Sequence, residues 1–164
     1  MSLWLFLLIQ FAVLAYAFVG GVFLAFSDFI MRSLAHTSGV VGIEAMQRIN
    51  REVFRWVFMG LFLGLVPLSL IIIGYTATHS VGPASMLMAL AGLTYLFGCF
   101  GVTIFFNVPM NEALAGMDLP DSVTQDYWTQ TYVPRWTFWN TVRTFACAVS
   151  AALLLSGLAL SANS

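Results

Sequence analysis

Lysine is absent from this chain, and charge of either sign is scarce: six arginines and seven acidic residues make up 8% of 164 residues, of which 60% are hydrophobic. Soluble domains are about a quarter charged, so the composition excludes an ordinary soluble domain and points to an integral membrane protein whose surroundings are a lipid bilayer. With no basic run to neutralise phosphates, no nucleic-acid partner is expected. Cysteine and histidine are nearly missing as well. Cys99 and Cys147 lack metal-ligand spacing and read as small packing residues of apolar helices. No HExxH sequence occurs, and no glycine-rich dinucleotide fingerprint follows a strand pattern.

The placement of the few charges organises the rest. Residues 1–27, 56–111 and 144–164 contain no Asp, Glu, Lys or Arg. A span needs roughly 20 apolar residues to cross about 30 Å of hydrocarbon. The middle block is long enough for two, interrupted by a polar, turn-rich patch of Gly74, Thr76, Thr78, His79, Ser80, Gly82 and Pro83. The expected fold is all-α: a four-helix transmembrane bundle with spans at about 3–26, 56–74, 85–107 and 137–160, forming one integral membrane domain over 1–164. A short amphipathic helix precedes the second span. The first span has no positively charged leading region and no small-residue cleavage pattern before Asp28, so it reads as a mature helix and not as a secretory signal. Both charge-bearing loops face one side, which the positive-inside rule places in the cytoplasm of a cell's inner membrane, with both termini outside. His36 and His79 then fall on opposite sides, and no metal site is expected.

Local pairings follow from helical spacing. Ala17, Gly21 and Ala25 recur every four residues in the first span and are expected to admit a neighbouring backbone, and Gly60, Gly64 and Pro67 read as packing and kink features of the second. Asp28 with Arg32, Glu44 with Arg48, and Arg48 with Glu52 are spaced to pair one turn apart. On the polar helix over 43–55, Arg48, Arg51 and Arg55 are expected to reach water or lipid phosphate. Gln47 and Asn50, uncharged amides three residues apart, are candidates to point inward. Between Glu112 and Val133 the sequence reads as an acidic turn region with Pro120 and a short helix near Ser122 to Thr131, and Pro134 suits the first turn of the last helix.

Two polar clusters stand at the edges of the last two spans. Trp136, Trp139, Asn140 and Arg143 share one helical face. A tryptophan pair there reads as an interfacial belt, but an amide and a guanidinium one turn apart, followed at once by apolar sequence, are costly unless they face a polar interior. Asn107 and Asn111 flank Pro109 at the end of the third span. Either Asn107 caps a carbonyl that Pro109 frees near Phe105, or the turn aims both amides into a cavity. Antiparallel packing of the last two spans would join the clusters, and would set Cys99 and Cys147 at similar depth. The candidate catalytic residues are Arg143, Asn140, Asn107 and Asn111, with Trp139, Trp136, Gln47 and Asn50 as candidate substrate contacts.

The stretches Phe26–Met31 and Gly42–Asn50, the sequence Asn107-Val-Pro109-Met-Asn111-Glu-Ala-Leu114 and the pattern Trp136-x-x-Trp139-Asn140-x-x-Arg143-Thr144, in this order between four spans, resemble the anthrone oxygenase family of small integral membrane proteins. The resemblance covers nearly the whole chain. It implies a four-helix membrane bundle and oxidation of an anthrone-like aromatic polyketide to a quinone with O₂, without a cofactor. On that implication Arg143 holds a developing oxyanion, the three asparagines hydrogen-bond the carbonyl and neighbouring hydroxyls, and Trp136 or Trp139 stacks on the rings. The alternative is a non-catalytic membrane protein whose Asn, Trp and Arg cluster is structural or docks a small hydrophobic ligand or a partner. A transporter is a weaker option, since no internal repeat or intramembrane charge path is apparent.

Overall fold

A computed structural model describes residues 2–38, 40–79, 82–119 and 121–162. Five helices follow one another: α1 Leu3–Ala35, α2 Val41–Glu52, α3 Trp56–His79, α4 Pro83–Ala115 and α5 Ser122–Ala162. All but α2 are long and apolar enough to cross a membrane, and no strand occurs among the described residues. The four long helices form a ring in chain order, each packed on the next, with α1 closing against α5. The fold is an all-α four-helix bundle of the kind a multi-pass membrane protein adopts.

The helices outlast the hydrophobic spans, because the polar residues at their ends satisfy themselves within the helix. Thr76 and Thr78 do not end α3; their hydroxyls donate to the carbonyls of Ile72 at 3.0 Å and Gly74 at 2.9 Å, one turn back. The turn between the middle spans therefore begins after His79. Ser80 and Val81 of the expected turn patch lie outside the described residues, as do Gly39 and Pro120. At the other boundary the acidic segment after Asp121 is helical and runs unbroken into the last span, with Asp121 accepting from the Val123 N–H at 3.1 Å as its cap. Pro134 thus sits inside a long helix and not at its first turn. A π turn over Tyr127–Tyr132 precedes it, in which the Val133 N–H bonds to the Trp128 carbonyl. The wider turn accommodates a proline ring that an α-helical ladder would reject. A second π turn, Thr103–Asn107, precedes Pro109 in the same way, and a third, Phe26–Ile30, interrupts α1.

The interior of the ring is apolar, with Ile9, Tyr16, Leu65, Ile72, Tyr95 and Leu154 at its centre. The two tyrosine hydroxyls are satisfied, Tyr16 against Ser69 Oγ at 2.7 Å and Tyr95 on the Phe62 carbonyl at 2.6 Å. Cys99 and Cys147 do share one depth, with Sγ atoms 3.4 Å apart as free thiols. The small residues that let backbones approach are not the expected ones. Ala17 and Gly21 face outward, and a Cβ on Gly21, Gly60 or Gly64 would meet nothing within 4 Å. Gly20 does the close packing, where an added Cβ would lie 2.9 Å from Cys147 Cβ. Gly20 acts alone: the positions four residues on either side of it are Tyr16 and the exposed Leu24, so no stripe of small residues forms along α1.

A second apolar core, built from Met31, Ile43, Met46, Leu114, Trp128, Tyr132 and Trp136, caps the end of the bundle that carries the charges. It exists because α2 folds across that end. Gly42 permits the fold, since a Cβ there would collide with the Leu34 carbonyl. Gln47 fastens it by donating through Nε2 to the carbonyl of Leu114 at 2.8 Å, which also accepts from the Met117 N–H, and to the carbonyl of Met117 at 3.3 Å, just past the end of α4. The ion pairs among the described residues are Glu44 with Arg48 at 2.7 Å and Glu52 with Arg55 at 2.6 Å. Asp28 and Arg32 do not pair, because the π turn between them breaks the four-residue phase, and Glu52 pairs with Arg55 instead of Arg48.

Candidate functional site

Between the two cores lies a cavity of about 550 Å³. Its walls come from Val22, Phe23 and Phe26 of α1, from α2, from the first turns of α3, from residues 103–115 of α4 and from Trp136 and Arg143 of α5. Most of the wall is apolar, including Phe23, Phe26, Phe58 and Phe62. The polar side chains on it are Gln47, Asn50, Arg51, Thr103, Asn111, Glu112 and Arg143.

Arg143 is 5% exposed and has no carboxylate within 4 Å among the described residues. Its Nη2 donates to Asn140 Oδ1 at 2.6 Å and its Nη1 to Thr103 Oγ1 at 3.3 Å, while the buried Nε–H has no partner among the described residues. The guanidinium carbon stands 4.2 Å from the centre of the Phe23 ring and 5.3 Å from that of Trp136. Two aromatic faces stabilise the cation without neutralising it. A buried, uncompensated positive charge on a cavity wall is a site prepared for an anion or a strongly polarised oxygen.

Asn140 and Asn107 stand behind this wall and do not line it. Asn140, fully buried, donates to the Phe23 carbonyl and to Ser27 Oγ, both at 2.6 Å, beside the π turn of α1. Asn107, also fully buried, donates to the Trp136 carbonyl at 3.3 Å, and its Oδ1 has no partner among the described residues. Neither reading of Asn107 as written describes it: the amide serves a carbonyl of α5 and not one near Phe105, and only Asn111 of the pair reaches the cavity. The π turn that ends at Asn107 rotates it toward α5, while Val108, Asn111, Glu112 and Ala115 form the stripe that faces inward.

Asn111 belongs to a fixed chain of hydrogen bonds. Its Oδ1 accepts from Tyr132 Oη at 2.8 Å and from Trp136 Nε1 at 2.8 Å, and Asn50 Nδ2 donates to Tyr132 Oη at 3.2 Å. An indole nitrogen only donates, so the Asn111 amide is locked with its oxygen toward Trp136, and its NH₂ is unspent among the described residues. Trp136 is 5% exposed and tilted against Phe26 at 5.7 Å, a wall residue and not an interfacial anchor. Trp139 takes the other part. It is half-buried, stacks on Phe106 at 3.7 Å and is absent from the cavity wall. Three residues of α-helix leave about 60° between neighbours on a face, enough to put Trp139 on the α4 side while Trp136 and Arg143 point inward.

The structure thus brings together Arg143, Asn111, Trp136, Gln47 and Asn50 around one cavity, sets Asn140 and Asn107 behind its lining, and leaves Trp139 outside. Tyr132, Thr103, Ser27 and Phe23 were missed. Tyr132 lies one residue past the short helix expected near Ser122 to Thr131, in a region that reads as acidic turn, and the others were hidden because π turns shift the helical phase.

The family model for anthrone oxygenase matches residues 51–153. The chain belongs to the anthrone oxygenase family. The matched region runs from the end of α2 through most of α5 and contains Asn107, Asn111, Tyr132, Trp136, Asn140 and Arg143, the α4 and α5 half of the cavity. No curated protein and no solved structure matches the chain.

Proposed function

We propose that this family member oxidises an anthrone-like aromatic polyketide to the quinone with O₂, in the cavity at the charged end of the bundle. The observation that carries the reading is Arg143: a buried guanidinium, free of any carboxylate among the described residues, on an aromatic-lined wall. An anthrone has one acidic methylene opposite a ring carbonyl. Loss of a methylene proton gives an enolate whose negative charge rests on that oxygen. Arg143 holds the oxygen, and Asn111 offers its unspent NH₂ to a neighbouring hydroxyl or carbonyl. The carbanion form reduces O₂ by direct reaction: the methylene loses two hydrogens and gains one oxygen atom, and the second oxygen leaves as water, so no further reductant is needed. A cavity of about 550 Å³ is within the range that small-molecule sites occupy, roughly 300–1,000 Å³. A hydrophobic substrate and O₂ both concentrate in lipid, which favours a membrane enzyme. The arginine-bearing loops are assigned to the cytoplasm on the positive-inside rule.

The test is O₂ uptake with quinone formation by membranes containing the protein, against Arg143→Ala at equal expression. A loss of at least about a hundredfold is expected from removing one preorganised charge donor, and equal rates in both would sink the proposal. A second reading has its own support. Asn107 and Asn140 are spent on carbonyls of neighbouring helices, as in a structural network that only binds a hydrophobic anion. Tight binding of a hydroxyanthraquinone without any turnover of the anthrone would select it.

A further inference from the structure

The reaction above begins with removal of a proton from carbon, and the cavity holds one group suited to it. Among the described residues Glu112 is the sole carboxylate on the wall, and no imidazole lies there. Asp28, Asp118, Asp121 and Asp126 are off the wall; Glu112 is exposed as they are, and what sets it apart is its place on the wall. The Tyr132 hydroxyl is fully buried and already engaged with Asn50 and Asn111. The thiols of Cys99 and Cys147 lie in the apolar interior. The remaining charged wall residues, Arg51 and Arg143, are cations.

We propose that Glu112 is the base that takes the methylene proton, an assignment that rests on the anthrone reading of the cavity. Position along α4 supports it. Thr103, which receives Arg143, and Glu112 are nine residues apart on one helix, a rise of about 13 Å, and a glutamate on a helix leans back toward the N-terminus, here toward Thr103. In an anthrone the acidic carbon lies across the central ring from the carbonyl. A hydrogen bond to that oxygen, the oxygen-to-carbon width of the ring system and a contact from the methylene to a carboxylate together span about 10 Å. A flat tricycle with its oxygen on Arg143 therefore presents its CH₂ toward Glu112, with its long axis between the aromatic walls. The C–H bond breaks, its proton goes to the Glu112 carboxylate, and its electron pair moves into the enolate whose oxygen Arg143 holds. The carboxylic acid so formed faces the rim, where water takes the proton away.

The probe is anthrone itself, used in two measurements on membranes of equal protein content. Under argon in D₂O, wild-type protein is expected to speed deuterium entry into the methylene above the rate in empty membranes, and Glu112→Gln to lose that acceleration by about a hundredfold or more, the range for a positioned base. Arg143→Lys retains part of it. In air, Glu112→Gln is expected to lose quinone formation to the same extent, while its affinity for the quinone product, read by tryptophan quenching, stays within twofold of wild type. Asp28→Asn, a carboxylate at the same edge but off the wall, keeps the wild-type rate in both assays. Exchange and oxidation by Glu112→Gln at wild-type rates would overturn the assignment and leave the anthrone reading standing. Exchange lost in Glu112→Gln but no quinone from wild type in air would uphold the base and remove the oxygenation. A wild-type protein without exchange above background overturns the assignment as well.

Discussion

Arg143 and Asn140 are joined by a 2.6 Å bond from Nη2 to Oδ1, and the opposite end of the same amide is tied to α1 through the Phe23 carbonyl and Ser27 Oγ. A neutral amide orients the guanidinium and leaves its charge undiminished. Asn140→Asp keeps the shape and changes the electrostatics: one carboxylate oxygen pairs with Arg143 and competes with any incoming anion, while the other loses the N–H that served the Phe23 carbonyl and lowers stability. The expected outcome is a folded protein whose affinity for a hydroxyanthraquinone anion falls at least about tenfold, equivalent to ~1.4 kcal/mol. Titration of tryptophan fluorescence in detergent measures it, and unchanged affinity would argue against an anion on Arg143.

Arg143→Met separates site from scaffold. A buried cation with a partnerless Nε–H costs stability, and an apolar residue of similar length relieves that cost. The variant is expected to unfold at the same or a higher temperature than wild type while losing catalysis. A fall in thermal midpoint together with retained turnover would instead mark Arg143 as structural.

Asn107 and Asn111 are expected to behave oppositely on substitution by alanine. Asn107 holds the Trp136 carbonyl away from the cavity, so Asn107→Ala lowers stability by about 0.6–2 kcal/mol and changes turnover less than about tenfold per 1.4 kcal/mol of the loss. Asn111 faces the cavity with an unspent NH₂. Asn111→Ala raises KM more than it lowers stability, and frees the Trp136 indole to move, visible as a shift of its emission. Parallel melting curves and Michaelis profiles distinguish the two.

How much of this was legible in the sequence depended on which physical signal wrote each feature. The spans and the bundle follow from hydrocarbon thickness acting on blocks without charge, a signal long enough to survive local irregularity. Arg143 was legible for the related reason that a cation followed at once by apolar sequence must find a polar interior. The phase of individual side chains was less so. Asp28 and Arg32, Asn107 and Asn111, and Ala17 and Gly21 were each read on a regular 3.6-residue period; π turns displaced the first two pairs, and the third faces outward while Gly20 makes the close approach. Tyr132 left little signal, because it follows the short helix expected near Ser122 to Thr131 in a neighbourhood whose Asp118, Asp121 and Asp126 read as solvated. Its burial comes from α2 folding over the bundle end, a tertiary event.

Gly20 and Gly21 supply a check on helix phase that does not involve the cavity. An added Cβ at Gly20 would stand 2.9 Å from Cys147 Cβ, whereas at Gly21 it would meet nothing within 4 Å. Gly20→Ala forces α1 from α5 and is expected to cost about 1–3 kcal/mol. Gly21→Ala is expected to be neutral or to stabilise by up to about 1 kcal/mol through helix propensity. Thermal midpoints in one detergent compare them, and equal midpoints would contradict the packing of α1 on α5.

Gln47 joins α2 to the end of α4 through two carbonyls, of Leu114 and Met117, and its side chain also forms part of the cavity wall. Gln47→Ala removes both side-chain hydrogen bonds while the Leu114 carbonyl keeps the Met117 N–H, so the cost is that of two hydrogen bonds, about 1–3 kcal/mol. The loss falls on the cap and not on the ring, because the ring's apolar interior makes no use of Gln47. Limited proteolysis is therefore expected to cleave between residues 36 and 55 sooner than in wild type, while the four long helices keep their thermal midpoint to within a few degrees. With α2 loosened, the floor of the cavity opens to water, so turnover drops although Arg143, Asn111 and Glu112 are all present. Glutamate at the same position, Gln47→Glu, has no N–H to give and is expected to reproduce the defect. A glutamate variant with wild-type proteolysis and turnover would show that the two hydrogen bonds do not hold α2 in place.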